Sequence, residues 1–158
     1  QNQGARAIAI GQVSGHINQG STGIAIGTSA GFKDQKSNGI AIGTVAGFSA
    51  QKENAIAIGN TAGQTGQGVG SIAIGTTCAT NAQGDFAIAM GSNAVGGTVQ
   101  GAFSLVLNSS NAPLAGAAAP QKFYVKTDPG TGIGRRTTVG GGKSLYYDTG
   151  TNEIFYVN

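Results

Sequence analysis

Few side chains in this sequence are of the types that catalyse reactions, and their spacing does not bring them together. The chain has one histidine, His16, one cysteine, Cys78, and six carboxylates. Acid–base and nucleophilic catalysis need a nucleophile, a base and an orienting group within hydrogen-bond reach of one another. No base is spaced to meet Cys78, and His16 lacks the partners that catalysis or metal binding would need. The sequence therefore predicts no enzyme, no metal site and no cofactor.

A phosphate-binding loop is also not expected, although Gly142, Lys143 and Ser144 look like the end of one. The P-loop motif requires a glycine five residues before its second glycine, and Thr137 stands at that position. The residues that follow alternate as in a β-strand, whereas a P-loop opens a helix. We therefore reject a nucleotide-binding interpretation.

The side chains best suited to bind a ligand lie near the C-terminal end. Arg135, Arg136 and Lys143 would bind anionic sugars or phosphate, although ion pairs within an assembly are the alternative. Tyr146 and Tyr147 would stack on sugar rings, although packing between strands is the alternative. We treat these five as candidate receptor-binding residues.

The elements that must position these residues repeat one phrase, which reads GIAIG at residues 23–27. The glycine that closes the phrase recurs every 16 residues, and a seventh, degenerate copy follows after 17 (108 − 91). A period of 16 is too short for a helical hairpin, but it suits one turn of a β-solenoid whose coils stack about 4.8 Å apart. The sequence therefore predicts an all-β parallel solenoid of about seven coils. The closing glycines are Gly11, Gly27, Gly43, Gly59, Gly75 and Gly91.

Strict alternation within the phrase assigns its isoleucines and its alanine to opposite faces of each strand. In the second copy, Ile24 and Ile26 share one face and Ala25 lies on the other. We expect the larger isoleucines to fill the interior and the alanines to face outward. An outward column of alanine with almost no charge is poor solvent surface, but it allows three copies to pack closely about an axis. The pattern thus predicts a homotrimer.

A glutamine stands eight residues after each closing glycine, or nine after the slip, at Gln100. Because the same residue returns at the same position of every coil, we predict a ladder of stacked amides that holds the coils in register. A second polar column contains Thr28, Thr44 and Thr76, which are the basis of an ice-binding alternative. The ladder residues are Gln19, Gln35, Gln51, Gln67 and Gln83.

Composition argues against several classes of function. Charged residues are 9% of the chain and the net charge is +3, with no basic stripe interleaved with aromatic residues, so nucleic acid is not an expected partner. No apolar run approaches the roughly 20 residues that span a bilayer, so membrane insertion is not expected. The alanine-rich apolar content fills only a thin core, which favours stabilisation by neighbouring coils or copies. Gln1 is an unusual first residue for a gene product, so we expect a processed or excised segment.

The AIAIG phrase, followed by a small residue and glycine, resembles the head repeats of trimeric autotransporter adhesins over residues 5–108. The regular form IAIGxxAGxxxxQ at residues 24–35 is more similar to repeats in fibre proteins of phages and large algal viruses. The same fibre proteins are also similar to this chain in the segment FYV at residues 123–125 and in the alternating runs LYYD and EIFYV near the C-terminal end. The resemblance implies a left-handed parallel β-roll that trimerises side by side. It also implies an extracellular location on a virion surface, or on a bacterial cell surface for the adhesin version.

We therefore expect residues 1–111 to form the solenoid, residues 112–120 a linker or neck, and residues 121–158 a small antiparallel β region with a hairpin. The expected function is that of a homotrimeric extracellular fibre that projects from a virion and attaches to a host-surface glycan or protein receptor. Three alternatives stay open: a bacterial adhesin head, a purely structural fibre without a ligand, and an ice-binding solenoid. An enzymatic tailspike would need acidic residues grouped where copies meet.

Overall fold

All of the regular secondary structure that the structure describes is β-strand. The computed structural model describes residues 2–108, 110, 112 and 120, together with strands over residues 123–126, 144–148 and 153–157. No helix occurs in these residues, and so none of them forms a helix that could cross a membrane. The prediction of an all-β fold is confirmed for this part of the chain.

Seven short strands stack in sequence order as a parallel solenoid. Each strand pairs with the next, and each residue lies beside its equivalent one coil later, as Ile40 lies beside Ile56. Six turns separate these seven strands, and the predicted 16-residue coil is confirmed. The strands are β1 (Ile8–Ile10), β2 (Ile24–Ile26), β3 (Ile40–Ile42), β4 (Ile56–Ile58), β5 (Ile72–Ile74), β6 (Ile88–Met90) and β7 (Leu105–Asn108).

Three further strands lie later in the chain. β8 (Phe123–Lys126) pairs parallel with β7 and so continues the sheet by one strand. β9 (Ser144–Asp148) and β10 (Glu153–Val157) pair antiparallel, with Tyr146 opposite Phe155. The predicted linker over residues 112–120 lies outside the described residues except for Ala112 and Pro120, which are exposed.

The glycine that closes each strand is required both by its backbone conformation and by the coil stacked on it. Gly43 has a φ of 127°, in a region that residues with side chains avoid. A Cβ atom at this position would lie 2.5 Å from the carbonyl oxygen of Gly59 in the next coil. The corner can therefore stack on its neighbour only where this residue is glycine, which explains why the glycine recurs with the period of the coil.

The alanines line the interior, and the prediction that the isoleucines fill it is wrong. Ala41 and Ala57 are fully buried, whereas the isoleucines on either side of them are partly exposed. The reason is the width of the coil. The side chain of Gln51 crosses the interior, and its Nε2 atom lies 2.8 Å from the carbonyl oxygen of Ile40 on the opposite wall. A cross-section spanned by one glutamine side chain has no room for two isoleucines in each coil.

The prediction that the alanines form an outward column, on which the trimer axis was based, is wrong for the same reason. The outward column is isoleucine, with leucine or methionine in the last two coils. The surface available to a neighbouring copy is therefore more apolar than the sequence pattern predicted.

The one-residue slip in the repeat is absorbed inside the sixth coil. In the first four coils a glycine with φ near 52°, such as Gly47, follows the closing glycine by four residues (47 − 43), and Ala79 takes this position in the fifth. In the sixth coil the equivalent residue is Gly96, with φ of 53°, and it follows Gly91 by five (96 − 91). The extra residue is Val95, which is fully buried, so the slip adds apolar volume to the core and leaves the strand register intact.

Candidate functional site

A ladder of amide hydrogen bonds runs along the interior of the solenoid. The Nε2 atom of Gln35 donates to Oε1 of Gln51 at 2.9 Å, and Gln51 donates in the same way to Gln67 at 3.0 Å. Gln67 donates to Gln83 at 3.3 Å, and Gln83 donates to Gln100 at 2.9 Å. Every donor in this series points to the coil that follows it, so the ladder has a direction.

Each rung is also tied to the walls of its own coil. Besides its bond to Gln67, Gln51 donates to the carbonyl oxygen of Ile40 at 2.8 Å and to that of Ala55 at 3.0 Å. A buried amide satisfied in this way stabilises one register, because a shifted coil would leave polar atoms buried without partners. The ladder is therefore a structural device that fixes the position of every coil along the axis.

Gln19 lies in the same column, but it is not joined to the ladder by a hydrogen bond. Its Nε2 atom donates to the carbonyl oxygens of Ile8 at 2.9 Å and Gly23 at 3.2 Å. Its Oε1 atom is buried without a donor, and so is Oε1 of Gln35. The structure thus links the predicted column from Gln35 to Gln100, and it leaves two acceptors, Oε1 of Gln19 and Oε1 of Gln35, without a donor.

The outer face of β1 to β7 is a strip of large apolar side chains, which we call the apolar strip. Two such side chains lie outward on each strand, so that Ile56 and Ile58 lie beside Ile72 and Ile74 of the next coil. Seven strands about 4.8 Å apart give the strip a length of roughly 29 Å. Exposure is greatest at β1, where Ile10 is 59% exposed. Monomeric soluble proteins rarely expose a continuous apolar surface, so the strip is a candidate interface.

Two exposed phenylalanines lie just before the last two strands of the apolar strip. Phe86 and Phe103 lie two residues before β6 and β7, are 54% and 60% exposed, and stack with ring centroids 5.4 Å apart. Both have positive φ, 56° and 57°, at the corner that Asn38 and Asn54 occupy in earlier coils. Asparagine tolerates this left-handed conformation and phenylalanine does not. Neither burial nor backbone preference explains two aromatic residues here, and we treat the pair as a candidate interface.

A second aromatic stack lies on another wall of the solenoid. Phe32 and Phe48 stack with ring centroids 4.9 Å apart, as predicted from their shared position in the coil. The ring of His16 continues the stack at 5.3 Å from Phe32. No group of three or more histidine, cysteine or acidic side chains that could hold a metal ion is found among the described residues. The surroundings of His16 are those of a packed ring.

Cys78 is a buried free thiol in the column of small residues. Its Sγ atom lies 3.3 Å from the carbonyl oxygen of Ala89, and burial raises the pKa of the thiol to about 11. A reactive cysteine needs an accessible thiolate. The interpretation of Cys78 as a small apolar side chain in an alanine position is confirmed.

One ion pair lies on the surface of the part of the chain from residue 2 to residue 108. Lys52 Nζ is 3.5 Å from a carboxylate oxygen of Asp85, across two coils. Asp85 also accepts a hydrogen bond of 2.9 Å from the backbone N–H of Val69, and this bond is the main cause of the lowered pKa of its carboxyl group. These contacts join neighbouring coils and do not form a pocket for a ligand.

The threonine column that motivated the ice-binding alternative is exposed. Thr28, Thr44 and Thr76 all lie in it, but Asn60 separates the last two, and the column begins with Gln12. An ordered array of threonines is therefore limited to two consecutive coils. The ice-binding alternative stays a prediction, which an assay of thermal hysteresis would test.

The candidate receptor-binding residues lie where the structure does not describe side chains. Arg135, Arg136 and Lys143 fall outside the described residues, and Tyr146 and Tyr147 lie in β9, of which only the backbone is described. Their assignment to receptor binding stays a prediction.

No protein-family model, no curated protein and no solved structure matches the chain.

Sequence reasoning missed the apolar strip and the pair Phe86 and Phe103. A signal for the strip was present in the repeat. The central alanine of the phrase is unchanged in six copies, whereas the position that follows it becomes Met90 in the sixth. An unchanging small residue is what a narrow interior requires, and tolerance of methionine is typical of an outer position.

Proposed function

We propose that the chain is the shaft of an extracellular homotrimeric fibre, with a structural and attachment role and no catalytic one. The observation that carries the proposal is the apolar strip: a continuous apolar face that runs along all seven strands is suited to being covered along its length. A receptor that binds at one point would cover only part of a strip of this length. Further copies of the same solenoid, aligned with it, would cover all of it.

Three copies about one axis satisfy the geometry of the strip. In a cyclic trimer each copy contacts both neighbours through head-to-tail interfaces, so one neighbour covers each edge of the outward sheet face. The short strands favour this arrangement, because three flat faces can meet about an axis without a large central void. Covering the remaining exposed apolar area stabilises the assembly by about 25 cal/mol for each Å² removed from water.

Phe86 and Phe103 support the same arrangement. They extend the strip at β6 and β7 beyond the strand, where a neighbouring copy would approach the corner of the coil. Exposed aromatic rings are typical of the centres of protein interfaces and uncommon on free surfaces. The proposed trimer is therefore tightest at the C-terminal end of the solenoid.

The proposal places the fibre on the outside of a virion, following the resemblance of its repeats to phage and algal-virus fibres. It includes left-handed winding, an antiparallel C-terminal region and attachment through Arg135, Arg136, Lys143, Tyr146 and Tyr147. A bacterial adhesin head would use the same strip and would differ in what flanks it. A purely structural fibre would lack the attachment step, and an Arg135→Ala/Arg136→Ala variant that still attaches to cells would favour it.

The experiment that tests the proposal compares two double variants of the whole chain. Ile42→Glu with Ile58→Glu places charge on the strip, and Thr44→Glu with Asn60→Glu places the same charge on a neighbouring exposed column. Sedimentation velocity and circular dichroism report assembly and folding. We expect the strip variant to keep its β-sheet spectrum and become monomeric, while the control and the unaltered chain are trimeric. A monomeric unaltered chain, or trimers of the folded strip variant, would contradict the proposal.

A further inference from the structure

Asn38 and Gly39 form the only Asn–Gly pair in the sequence, and they lie at the corner that leads into β3. Asn38 is exposed to water. A backbone nitrogen can attack the side-chain amide of the asparagine before it, and asparagine is among the thermally labile residues of proteins. The attack is least hindered where the nitrogen belongs to glycine, which has no Cβ atom. This corner therefore holds the two groups of such a reaction in adjacent residues.

The corner that leads into β4 is a close structural match, but there Asn54 is followed by Ala55. Asn38 and Asn54 are both exposed, and both have a φ of 59°. The N–H group after each asparagine makes the same weak bond: Gly39 donates to the carbonyl oxygen three residues earlier at 3.2 Å, and Ala55 does so at 3.3 Å. The two corners thus share their exposure, φ and hydrogen bond, and they differ in one Cβ atom.

We propose that Asn38 is a site of spontaneous deamidation, with water as the second reactant. The nitrogen of Gly39 bonds to Cγ of Asn38, the bond from Cγ to Nδ2 breaks, and ammonia leaves with the proton that the attacking nitrogen gives up. Water then opens the cyclic imide. Breaking the new bond to Cγ gives aspartate. Breaking the bond from the nitrogen to the main-chain carbonyl carbon gives isoaspartate, in which the chain continues through Cγ.

Either product loses a hydrogen bond between coils on the outer surface. The Oδ1 atom of Asn38 accepts from the hydroxyl of Thr22, and its Nδ2 atom donates to Oδ1 of Asn54 at 3.1 Å. The carboxylate that replaces the amide has no proton to donate to Asn54. It also sets a negative charge beside an oxygen that is itself an acceptor. The bond between the two corners is therefore lost in both products.

Isoaspartate also changes the main chain at the start of β3. It adds one carbon atom to the backbone directly before Gly39. The carbonyl oxygen of Gly39 accepts from the N–H of Ile24 at 2.8 Å and from Nε2 of Gln35 at 3.1 Å. The first bond joins the coil of β2 to the next coil, and the second ties the amide ladder to its wall. A displaced Gly39 weakens both, so isoaspartate loosens the solenoid at this junction.

The test incubates the whole chain at mildly alkaline pH and follows its peptides by mass spectrometry. Cleavage after lysine releases residues 37–52, in which Asn38 is the only asparagine, and places Asn54 in the peptide that follows. Deamidation adds about 1 Da, and fragmentation locates the altered residue. We expect Asn38 to react at least about tenfold faster than Asn54. A neighbouring copy on the apolar strip would cover both corners alike, so the ratio of the two rates does not depend on assembly.

The matched variant is Gly39→Ala, which makes the corner before β3 equivalent to the corner before β4. Alanine already occupies this position as Ala55, so the variant should fold. We expect its Asn38 to react at the rate of Asn54. Equal rates at the two asparagines of the unaltered chain, or an unchanged rate at Asn38 in the variant, would overturn the site.

A second arm measures the effect on the fold by amide hydrogen exchange. In the isoaspartate form separated from the aged chain, we expect exchange at Ile24 to be at least about tenfold faster than in the fresh chain. Ile72, whose N–H donates to the carbonyl oxygen of Ala87 at 2.9 Å in a later coil, is the internal reference. Asn38→Asp carries the charge on a normal main chain and should keep Ile24 protected. Unchanged exchange at Ile24 in the isoaspartate form, or equal loss of protection in Asn38→Asp, would overturn the proposed loosening.

Discussion

The Nε2 atom of Gln51 donates to Oε1 of Gln67 at 3.0 Å, across one coil height in the interior of the solenoid. The same nitrogen reaches the opposite wall of its own coil, so one side chain sets both the width of the coil and its position on the next. The narrow interior follows from this bond. Alanine is the residue that fits inside, and isoleucine is left on the partly exposed outer face.

The ladder predicts that the loss of one amide lowers the free energy of unfolding by a specific amount. Gln51→Leu leaves the Oε1 atom of Gln67 buried without a donor and removes the acceptor of Gln35. We expect the substitution to destabilise the fold by about 1–3 kcal/mol, measured by chemical unfolding. Gln64→Leu makes the same chemical change on the outer wall, beside the aromatic stack, and should cost little. Equal effects at the two sites would show that the ladder does not stabilise the solenoid.

The orientation of the strand predicts opposite results for two neighbouring residues. Ala57 is fully buried, so Ala57→Leu overfills the interior and should destabilise the fold by about 1–3 kcal/mol or more. Ile58 lies on the apolar strip, so Ile58→Ala should leave the protomer folded and weaken association instead. Circular dichroism on heating and the concentration dependence of the mass distinguish the two effects. Loss of folding in Ile58→Ala together with a tolerated Ala57→Leu would reverse the assigned faces.

The sequence was sufficient for the period, the strand positions and the glutamine column, because each depends on residues that recur at one spacing. It was insufficient for the direction in which Ile56 and Ala57 point, because alternation fixes opposite faces without saying which face is inside. That choice depends on the width of the coil, which is set by how far the side chain of Gln51 extends across it. Phe86 and Phe103 were missed because two aromatic residues in adjacent coils do not form a long column.

The buried thiol predicts a loss of stability at alkaline pH. Burial raises the pKa of Cys78 from 9.0 to about 11, so the folded state holds its proton more tightly than the unfolded state does. The corresponding stability is complete below pH 9 and is lost as the pH rises through about 11. Unfolding midpoints of the chain and of Cys78→Ala should therefore diverge in this window. Alanine occupies the same position in other coils, so the variant should fold. Parallel pH profiles would contradict a buried thiol.

The left-handed backbone at Phe86 and Phe103 predicts that substitution affects the stability of the protomer and the strength of association in opposite directions. Replacing both with asparagine introduces the residue that two earlier coils carry at this corner, as Asn38 and Asn54, and removes two exposed rings. We expect the protomer to be as stable as before, or more stable by about 1 kcal/mol for each corner. Association should become weaker, as seen in a mass that falls on dilution. Loss of protomer stability with unchanged association would mean that the rings stabilise the fold itself.

The solution mass of the intact chain, by light scattering on a sizing column, tests the central claim most directly. The account predicts three times the 15.5 kDa of one chain, because the apolar strip is covered by two further copies. A stable monomer would contradict it, since the isoleucine strip would then face water along its whole length.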